Sequence, residues 1–593
     1  MARYTAPLSD MRFALYDVLD VEALFRRLPG CEGATRDVVD AVLDEAAKFT
    51  EQVLAPLNQS GDQEGCHFDA ASASVATPAG FKKAYAQYVE NGWPGLTSPA
   101  AFGGQDMPQV LGAAVKEMLD AANLSWGNYP LLSHGATEAL LQHGEDWQRE
   151  AFLKPIIAGR WTGTMCLTEP HCGTDLGLLK TKAEPGADGS YRISGSKIFI
   201  TAGEHDLAEN IVHLVLARLP EAPSGVKGIS LFIVPKFKVG RDGKLGERNA
   251  LACGAIEHKM GIKASATCTM NFDGAEGWLI GQPNRGLHAM FTMMNTARLA
   301  VGLQGLALIE RAYQNSLAYA RERLQMRALS GAKFPDKPAD PLIVHPEIRR
   351  MLLTQKAFAE GGRALALYAY VQEDIARRST DAAERERADA IASFLTPIVK
   401  GLLTEAANEC TYHALQIFGG HGYIVEHGME QFARDARITT LYEGTTQIQA
   451  LDLLGRKVLQ LQGEGLKHFL REISAFCEKH AMDASLAAFV GPLVVAAKDW
   501  SDITMDIARR SATNPDEMGA AAYDYLFYSG YVALAYFWAR SVATATALPQ
   551  IREAKTQTAR FYFTRILPRI NAHAAAIRAG ASTLLDMTDS AFG

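Results

Sequence analysis

The chain has 593 residues, too long for one hydrophobic core, and its length suggests about three or four domains. Hydrophobic residues make up 48% and charged residues 21%, the composition of a soluble globular protein. A net charge of -7 provides no general attraction to nucleic acid or to an anionic membrane.

The N-terminal stretch MARYTAPLSDMRFALYDVLD lacks a basic segment followed by an apolar core, so no signal peptide is expected. Residues 36–160 read as helical, because ATRDVVDAVLDEAAKFTEQVLAPLN and MPQVLGAAVKEMLDAANLSW repeat apolar positions every three or four residues. The pattern changes near 161. GSYRISGSKIFITAG, IVHLVLARL and GISLFIVPKF are short β-rich runs separated by Gly, Pro, Asp and Ser, which predicts a β domain inserted between helical ones. Helices resume at about 285, where Leu287, Met290, Met294, Ala297 and Val301 form one helical stripe. A loop with Pro335, Pro338 and Pro341 precedes three more helical stretches that end near 455. Residues 463–593 are again helical and rich in Ala and aromatics; YDYLFYSGYVALAYFWAR is too apolar for a free tail and is expected to pack on the rest of the chain or across a subunit interface. The run ASLAAFVGPLVVAA (484–497) is too short for a usual membrane span and is read as a core segment. Eight scattered cysteines without a C-x-x-C pair argue against a zinc ribbon or thioredoxin-type site and fit a reducing compartment.

Three stretches look out of place for packing alone. MCLTEPHCGTDLG (165–177) reads as a loop, neither helix nor strand, whose free backbone N–H groups suit an anion or a ring heteroatom; a plain connector is the other reading. In QIFGGHGY (416–423), Gly419 and Gly420 allow close approach to a pyrophosphate, or they simply end a helix. In LYEGTTQIQ (441–449), Glu443 is either a charge at a helix start, with Thr445 and Thr446 as caps, or a lone functional carboxylate. No G-x-G-x-x-G follows a strand, so a Rossmann site is not supported.

Taken together, CLTEPHCGTD, GSKIFITAGEHD, HKMGIKASATC, NTARLAVGLQGLALIERAYQNSLAYARERLQMR, QIFGGHGY and RDARITTLYEGTTQIQ resemble the acyl-CoA dehydrogenase family of flavoproteins. The motifs span about 165–455 in the family's order. The resemblance implies an α+β multidomain fold: an N-terminal α-helical domain (1–160), a middle β-barrel-like domain (161–280), a C-terminal helical bundle (281–460), and here an additional helical region (461–593). The extended length looks most like the bacterial members that act on 3-methylmercaptopropionyl-CoA in dimethylsulfoniopropionate breakdown, and is also similar to other extended members.

The family's chemistry implies a role for each matching residue. Glu443, the Glu of "YEG", is the base that takes the α proton of an acyl thioester while a β hydride passes to FAD. Some members carry the base before the Arg of the "ARL" motif; here that position is Ala297, beside Arg298, which matches a contact to CoA. Tyr442 and Gly444 shape the thioester pocket. The backbone of Met165, Cys166 and Leu167, with Thr168, matches contacts to the flavin pyrimidine edge. Thr201 matches the hydroxyl near N5, and Phe199 stands where an aromatic, often Trp, meets the ring. Thr174 occupies a position usually held by Ser that touches flavin phosphate and CoA. Arg323 and Gln325 match residues that reach the FAD of a neighbouring subunit, although the following Met326-Arg327 replaces the family's Phe-Gly. Gln416, Gly419 and Gly420 match adenosine-pyrophosphate contacts, and Thr445 and Gln447 complete the flavin site. A homodimer or dimer of dimers, an electron-transfer flavoprotein as acceptor, no metal, no nucleic acid, no membrane span and a bacterial cytoplasmic location follow as expectations. An acyl-CoA oxidase shares these motifs and differs in passing electrons to O₂. The family's DNA-binding branch is disfavoured, since 461–593 carries 13 Lys+Arg and 13 Asp+Glu and so has no basic footprint.

Overall fold

The computed structural model describes residues 3–186 and 188–593. In chain order come α1 (Arg36–Phe49), α2 (Gln109–Ala122) and α3 (Leu124–His143). Then follow β1 (Trp161–Cys166), β2 (Lys182–Pro185), β3 (Tyr191–Thr201), β4 (Asn210–Arg218), β5 (Ile229–Pro235), β6 (Leu251–Ile256) and β7 (Thr267–Ile280). Helices α4 (Gly286–Glu322), α5 (Pro346–Arg378), α6 (Ala382–Phe418), α7 (Met429–Thr439) and α8 (Thr446–Leu451) come next. The chain ends with α9 (Glu464–Lys479), α10 (Ala487–Ser511), α11 (Asp516–Ala545), α12 (Pro549–Phe561) and α13 (Ile570–Ala579). The expected fold class, α+β with a β-rich middle between helical regions, is the one observed.

The residues form two compact units. One contains Lys48–Pro108 and Ala122–Ala300; the other contains the chain up to Ala47, Gln109–Ala121 and Val301–Gly593. In the unit that holds the strands, the sheet order is β6-β7-β3-β2-β4-β1, and β5 pairs with both β7 and β4. Pairing thus runs β7, β3, β2, β4, β5 and back to β7, a closed barrel whose ring has no open edge. Strands β4 and β5 read as continuous apolar runs because they are buried along nearly their whole length, whereas β3 buries only Ile193, Lys197 and Ile200. Helix α3 starts where the Asn123 side chain accepts the Trp126 N–H at 3.1 Å.

The other unit is helical. Among the described residues, one helical stretch, Ala382–Tyr423, is long and apolar enough to cross a membrane, but 83% of its most apolar window is buried inside the protein, which makes it a core helix. Arg363 on α5 is fully buried and ion-paired to Glu117 at 2.6 Å, Glu310 at 2.7 Å and Asp10, so one cation ties α2, α4 and the N-terminal segment to α5. Helix α11 packs on α5 and α6, as expected for its apolar stretch, and every residue from Tyr525 to Ala539 is buried. Trp538 donates its Nε1–H to the Ala357 carbonyl at 3.1 Å. Glycines make room for these contacts. A Cβ on Gly361 would stand 2.5 Å from Trp538 Nε1, and one on Gly401 would stand 2.7 Å from Leu526 Cδ2. Gly361→Ala is therefore expected to destabilise this unit by about 1–3 kcal/mol, despite the better helix propensity of Ala, because the indole is buried and hydrogen-bonded. Urea unfolding checks this; a more stable variant would show that the helices separate freely.

Two local expectations are corrected. Met165 and Cys166, placed in a loop by the sequence, are the last residues of β1 and pair with Leu214 and Val215 of β4; the strand ends only where Pro170 and Gly173 approach. The segment 484–497 is only half core: Phe489, Val490, Leu493 and Ala496 of α10 are buried, but Val494 and Val495 are exposed, because a helix turns one face outward whatever its composition.

Candidate active site

In the barrel unit, β1 delivers Met165–Leu167 to a loop that lies against the end of β3. The Thr168 carbonyl accepts the Ile198 N–H at 2.9 Å, which brings Thr168 beside Phe199 and Thr201. Thr168 and Thr201 are half-buried. Phe199 has φ 58°, a left-handed conformation unusual for an aromatic residue, and is 59% exposed, so its ring is presented to the outside. Beneath this rim lies a buried ion pair. Lys197 is 0% exposed; its Nζ donates to Glu169 Oε1 at 2.8 Å and to the Leu167 carbonyl at 3.0 Å. Glu169 also accepts the N–H groups of Lys180 (2.8 Å) and Thr181 (3.0 Å) and the Thr181 hydroxyl at 2.5 Å. Burial pushes the Glu169 carboxyl up, but Lys197 and these donors outweigh it and hold it below its usual value.

Glu169, His171 and Cys172 offer ligand atoms within 4.8 Å of one another. Glu169 is already engaged, and burial raises the Cys172 thiol; burial likewise pushes Cys166 up to about 12. Thr174 is exposed further along the loop, where Asp175 accepts the Gly177 N–H at 2.9 Å. On α4, Arg298 is buried, at 5% exposure, and so is not a solvated helix-surface charge; the adjacent Ala297 is buried as well.

The helical unit holds the remaining candidates in two groups. At the end of α4, Tyr319 stacks on Phe418 with centroids 4.0 Å apart, and its hydroxyl meets His421 Nδ1 at 2.9 Å. This joins the start of the Arg323–Gln325 segment to the Gln416–Gly420 turn. Arg323, Gln325 and Gln416 are exposed, and the Gln325 N–H donates to the Asp340 carbonyl at 3.0 Å. Gly419 has φ 59° and closes α6, as the helix-end reading proposed; a Cβ on Gly419 or Gly420 would meet nothing within 4 Å.

The second group is the segment between α7 and α8. Thr445 is the cap of α8, its hydroxyl accepting the Ile448 N–H at 3.3 Å, so Glu443 lies outside the helix and is not the capping residue. Glu443 has φ 56° and Gly444 has φ 86°. Two successive left-handed residues, the first with a side chain, cost about 1–3 kcal/mol and persist only where the surroundings enforce them. Gln449 Nε2 donates to the Glu443 carbonyl at 3.0 Å, and Lys400 Nζ, from the middle of α6, donates to the Gly444 carbonyl at 2.7 Å. Tyr442 donates its hydroxyl to Gln304 of α4, and burial raises the phenol well above its usual value. The Thr446 hydroxyl donates to Glu405 at 2.6 Å. Glu443 itself is half-buried, because it stands on an irregular segment rather than on a packed helix face.

Sequence reasoning missed Lys400, Gln449, Gln304 and Glu405. Only Lys400 left a trace, as a lone charge inside the apolar run PIVKGLL. Glu169 and Lys197 lay inside quoted motifs but carried no sign of their pairing.

Four family models match the chain in sequence order. The acyl-CoA dehydrogenase N-terminal domain matches 37–160, the middle domain 164–275 and the C-terminal domain 284–459. A model described as acetyl-CoA dehydrogenase C-terminal like matches 469–588. The chain is similar to 3-methylmercaptopropionyl-CoA dehydrogenase of Ruegeria pomeroyi, at 42% identity over 98% of this chain and 99% of that one. It is also similar to a butyryl-CoA dehydrogenase of Syntrophomonas wolfei, at 32% identity over 99% of each chain. Among solved structures, Caenorhabditis elegans ACDH-11 in complex with C11-CoA matches with a TM-score of 0.78 at 17% identity, covering 96% of this chain and 95% of that one, a likeness of fold.

Proposed function

The chain belongs to the acyl-CoA dehydrogenase family, and from that premise we propose which of its residues perform the reaction and on which acyl group. It is an FAD-dependent oxidoreductase acting on acyl-CoA thioesters. Glu443 is the base. The observation that carries this assignment is its left-handed backbone, held by hydrogen bonds to its own carbonyl and the next one, in a segment where Thr445 already does the capping. Its carboxylate takes the α proton, and the C–H electron pair becomes the Cα=Cβ bond as the β hydrogen leaves with its own pair. FAD, when bound, accepts that hydride. Tyr442 and Gly444 shape the thioester pocket, and Arg298 and Thr174 contact CoA.

The residues present fit FAD. An exposed aromatic, Phe199, two residues before the half-buried Thr201 and next to Ile198, whose N–H meets the carbonyl of half-buried Thr168, makes a set suited to a heteroaromatic ring with polar edges. The Gly419–Gly420 turn leaves its surface open to a bulky phosphate group. Met165, Cys166, Leu167 and Thr174 belong to the same assignment in the barrel unit, and Arg323, Gln325, Gln416, Thr445 and Gln447 in the helical unit. The ranges of the four matching family models support a division into 1–160, 161–280, 281–460 and 461–593.

The substrate is a short-to-medium acyl-CoA, 3-methylmercaptopropionyl-CoA first; the 42% identity along nearly the whole of a relative of that name supports this. Electrons leave to an electron-transfer flavoprotein, and the enzyme works as a homodimer or dimer of dimers in the cytoplasm. Anaerobic flavin bleaching with 3-methylmercaptopropionyl-, butyryl-, octanoyl- and palmitoyl-CoA tests the reading. The first is expected to bleach the flavin fastest, and turnover in air to yield little peroxide. Fastest bleaching by palmitoyl-CoA would overturn the acyl assignment, stoichiometric peroxide would make the protein an oxidase, and no bleaching by any thioester would overturn the whole.

A further inference from the structure

A lysine in the middle of a buried helix is an expensive choice. Lys400 is 0% exposed and sits on α6 in the run Leu395–Leu403, where an apolar side chain would fill the space without desolvating an ammonium. Its Nζ reaches the carbonyl of Gly444, one residue beyond the base, in a charge-assisted hydrogen bond of 2.7 Å. From the other side the buried amide of Gln449 donates to the Glu443 carbonyl at 3.0 Å and to the Gly444 carbonyl at 3.3 Å. Both carbonyls that follow the base are thus held, and with them the two peptide planes that set the direction of Gly444 and Thr445. The left-handed Glu443–Gly444 turn is thus held on its C-terminal side by two separate donors.

We propose that Lys400, together with Gln449, is a positioning residue for the catalytic base: it clamps the Glu443–Gly444 carbonyls so that the carboxylate is held at one place relative to α6. This rests on the assignment of Glu443 as base. Proton abstraction from carbon depends steeply on geometry, and a displacement of about 1 Å costs on the order of 10²-fold in rate. A clamp of this kind acts mainly on the chemical step; because Gly444 also borders the thioester pocket, the loss of rate is expected to exceed any loss of acyl-CoA affinity.

The test uses full-length holoenzyme and anaerobic stopped-flow bleaching with the best thioester of the panel. Lys400→Met is expected to slow flavin reduction about 10- to 100-fold, with acyl-CoA affinity within about twofold of wild type and flavin content unchanged. Lys400→Arg, which keeps a cationic donor, is expected to recover part of the rate. Gln449→Leu removes the neutral half of the clamp and should show the same split between rate and affinity, so the proposal is still decided if Lys400→Met does not fold. Wild-type reduction rates in the folded variants would overturn the proposal. So would a parallel loss of affinity, flavin and rate, or failure of both variants to fold, since these mark a purely structural role. Glu443→Gln run alongside separates the two assignments: if it still bleaches, the base is wrong; if it is inactive while Lys400→Met and Gln449→Leu behave as wild type, only the clamp is wrong.

Discussion

Glu443→Gln is expected to retain FAD and bind acyl-CoA while failing to bleach the flavin under anaerobic conditions. The amide keeps the shape and hydrogen-bonding reach of the carboxylate but cannot take a proton from carbon. The loss should exceed the roughly 10²–10⁴-fold usually credited to a general base, because the alternative position for the base on α4 holds Ala297, a buried methyl group that cannot substitute. A charge that merely favoured the start of α8 would contribute a few tenths to about 1 kcal/mol of stability and nothing to the rate. The structure already weakens that reading, since Thr445 supplies the cap and Glu443 stands two residues upstream in a left-handed conformation. Bleaching at near wild-type rate would remove Glu443 from the mechanism. Unchanged unfolding together with lost bleaching would fix its role as chemical.

The order of helical and β-rich regions along the chain was legible because it rests on local periodicity. The change from a helical repeat to short alternating runs near 161, and back near 285, coincides with β1 and α4. The barrel's closure was not legible. It depends on β5 pairing with both β4 and β7, a non-local choice that the fully apolar sequence ISLFIVP cannot announce, since a strand buried on both faces has no alternation to read. At the candidate site, the YEG segment was legible through its motif, and of the two threonines read as caps it is Thr445 that caps α8. The residues that hold the motif in shape were not. Lys400 lies 43 positions before Glu443, and a lone lysine on a helix reads as solvated until its neighbours are known. The pairing of Glu169 with Lys197 was hidden for the same reason, as each residue alone looks like a surface charge.

That pair yields the other large effect expected. Lys197→Met should destabilise the protein by about 3–5 kcal/mol, because it strands the Glu169 carboxylate in a buried position with hydrogen-bond donors but no counter-charge. It also frees the Leu167 carbonyl, so the Leu167–Thr168 segment loosens and flavin should be retained less well. Adding Glu169→Gln should restore much of the stability, since replacing a whole buried ion pair is often nearly neutral whereas breaking one is not. The pH dependence separates this from simple loss of packing. In the wild type Glu169 is held below its usual value, so the stability it contributes is present above the ordinary carboxylate range near pH 4 and is lost as pH falls through its lowered value. In Lys197→Met burial is opposed only by the Thr181 and Lys180 donors, so the same carboxyl rises from its wild-type position, and the penalty is full at neutral pH and shrinks as acid protonates it. The stability gap between wild type and variant should therefore narrow between pH 7 and about pH 4.5. Urea unfolding at the two pH values measures it. A deficit below about 1 kcal/mol, or one equally large at both, would mean that the lysine is filling space and that Glu169 is carried by Thr181 and the backbone instead.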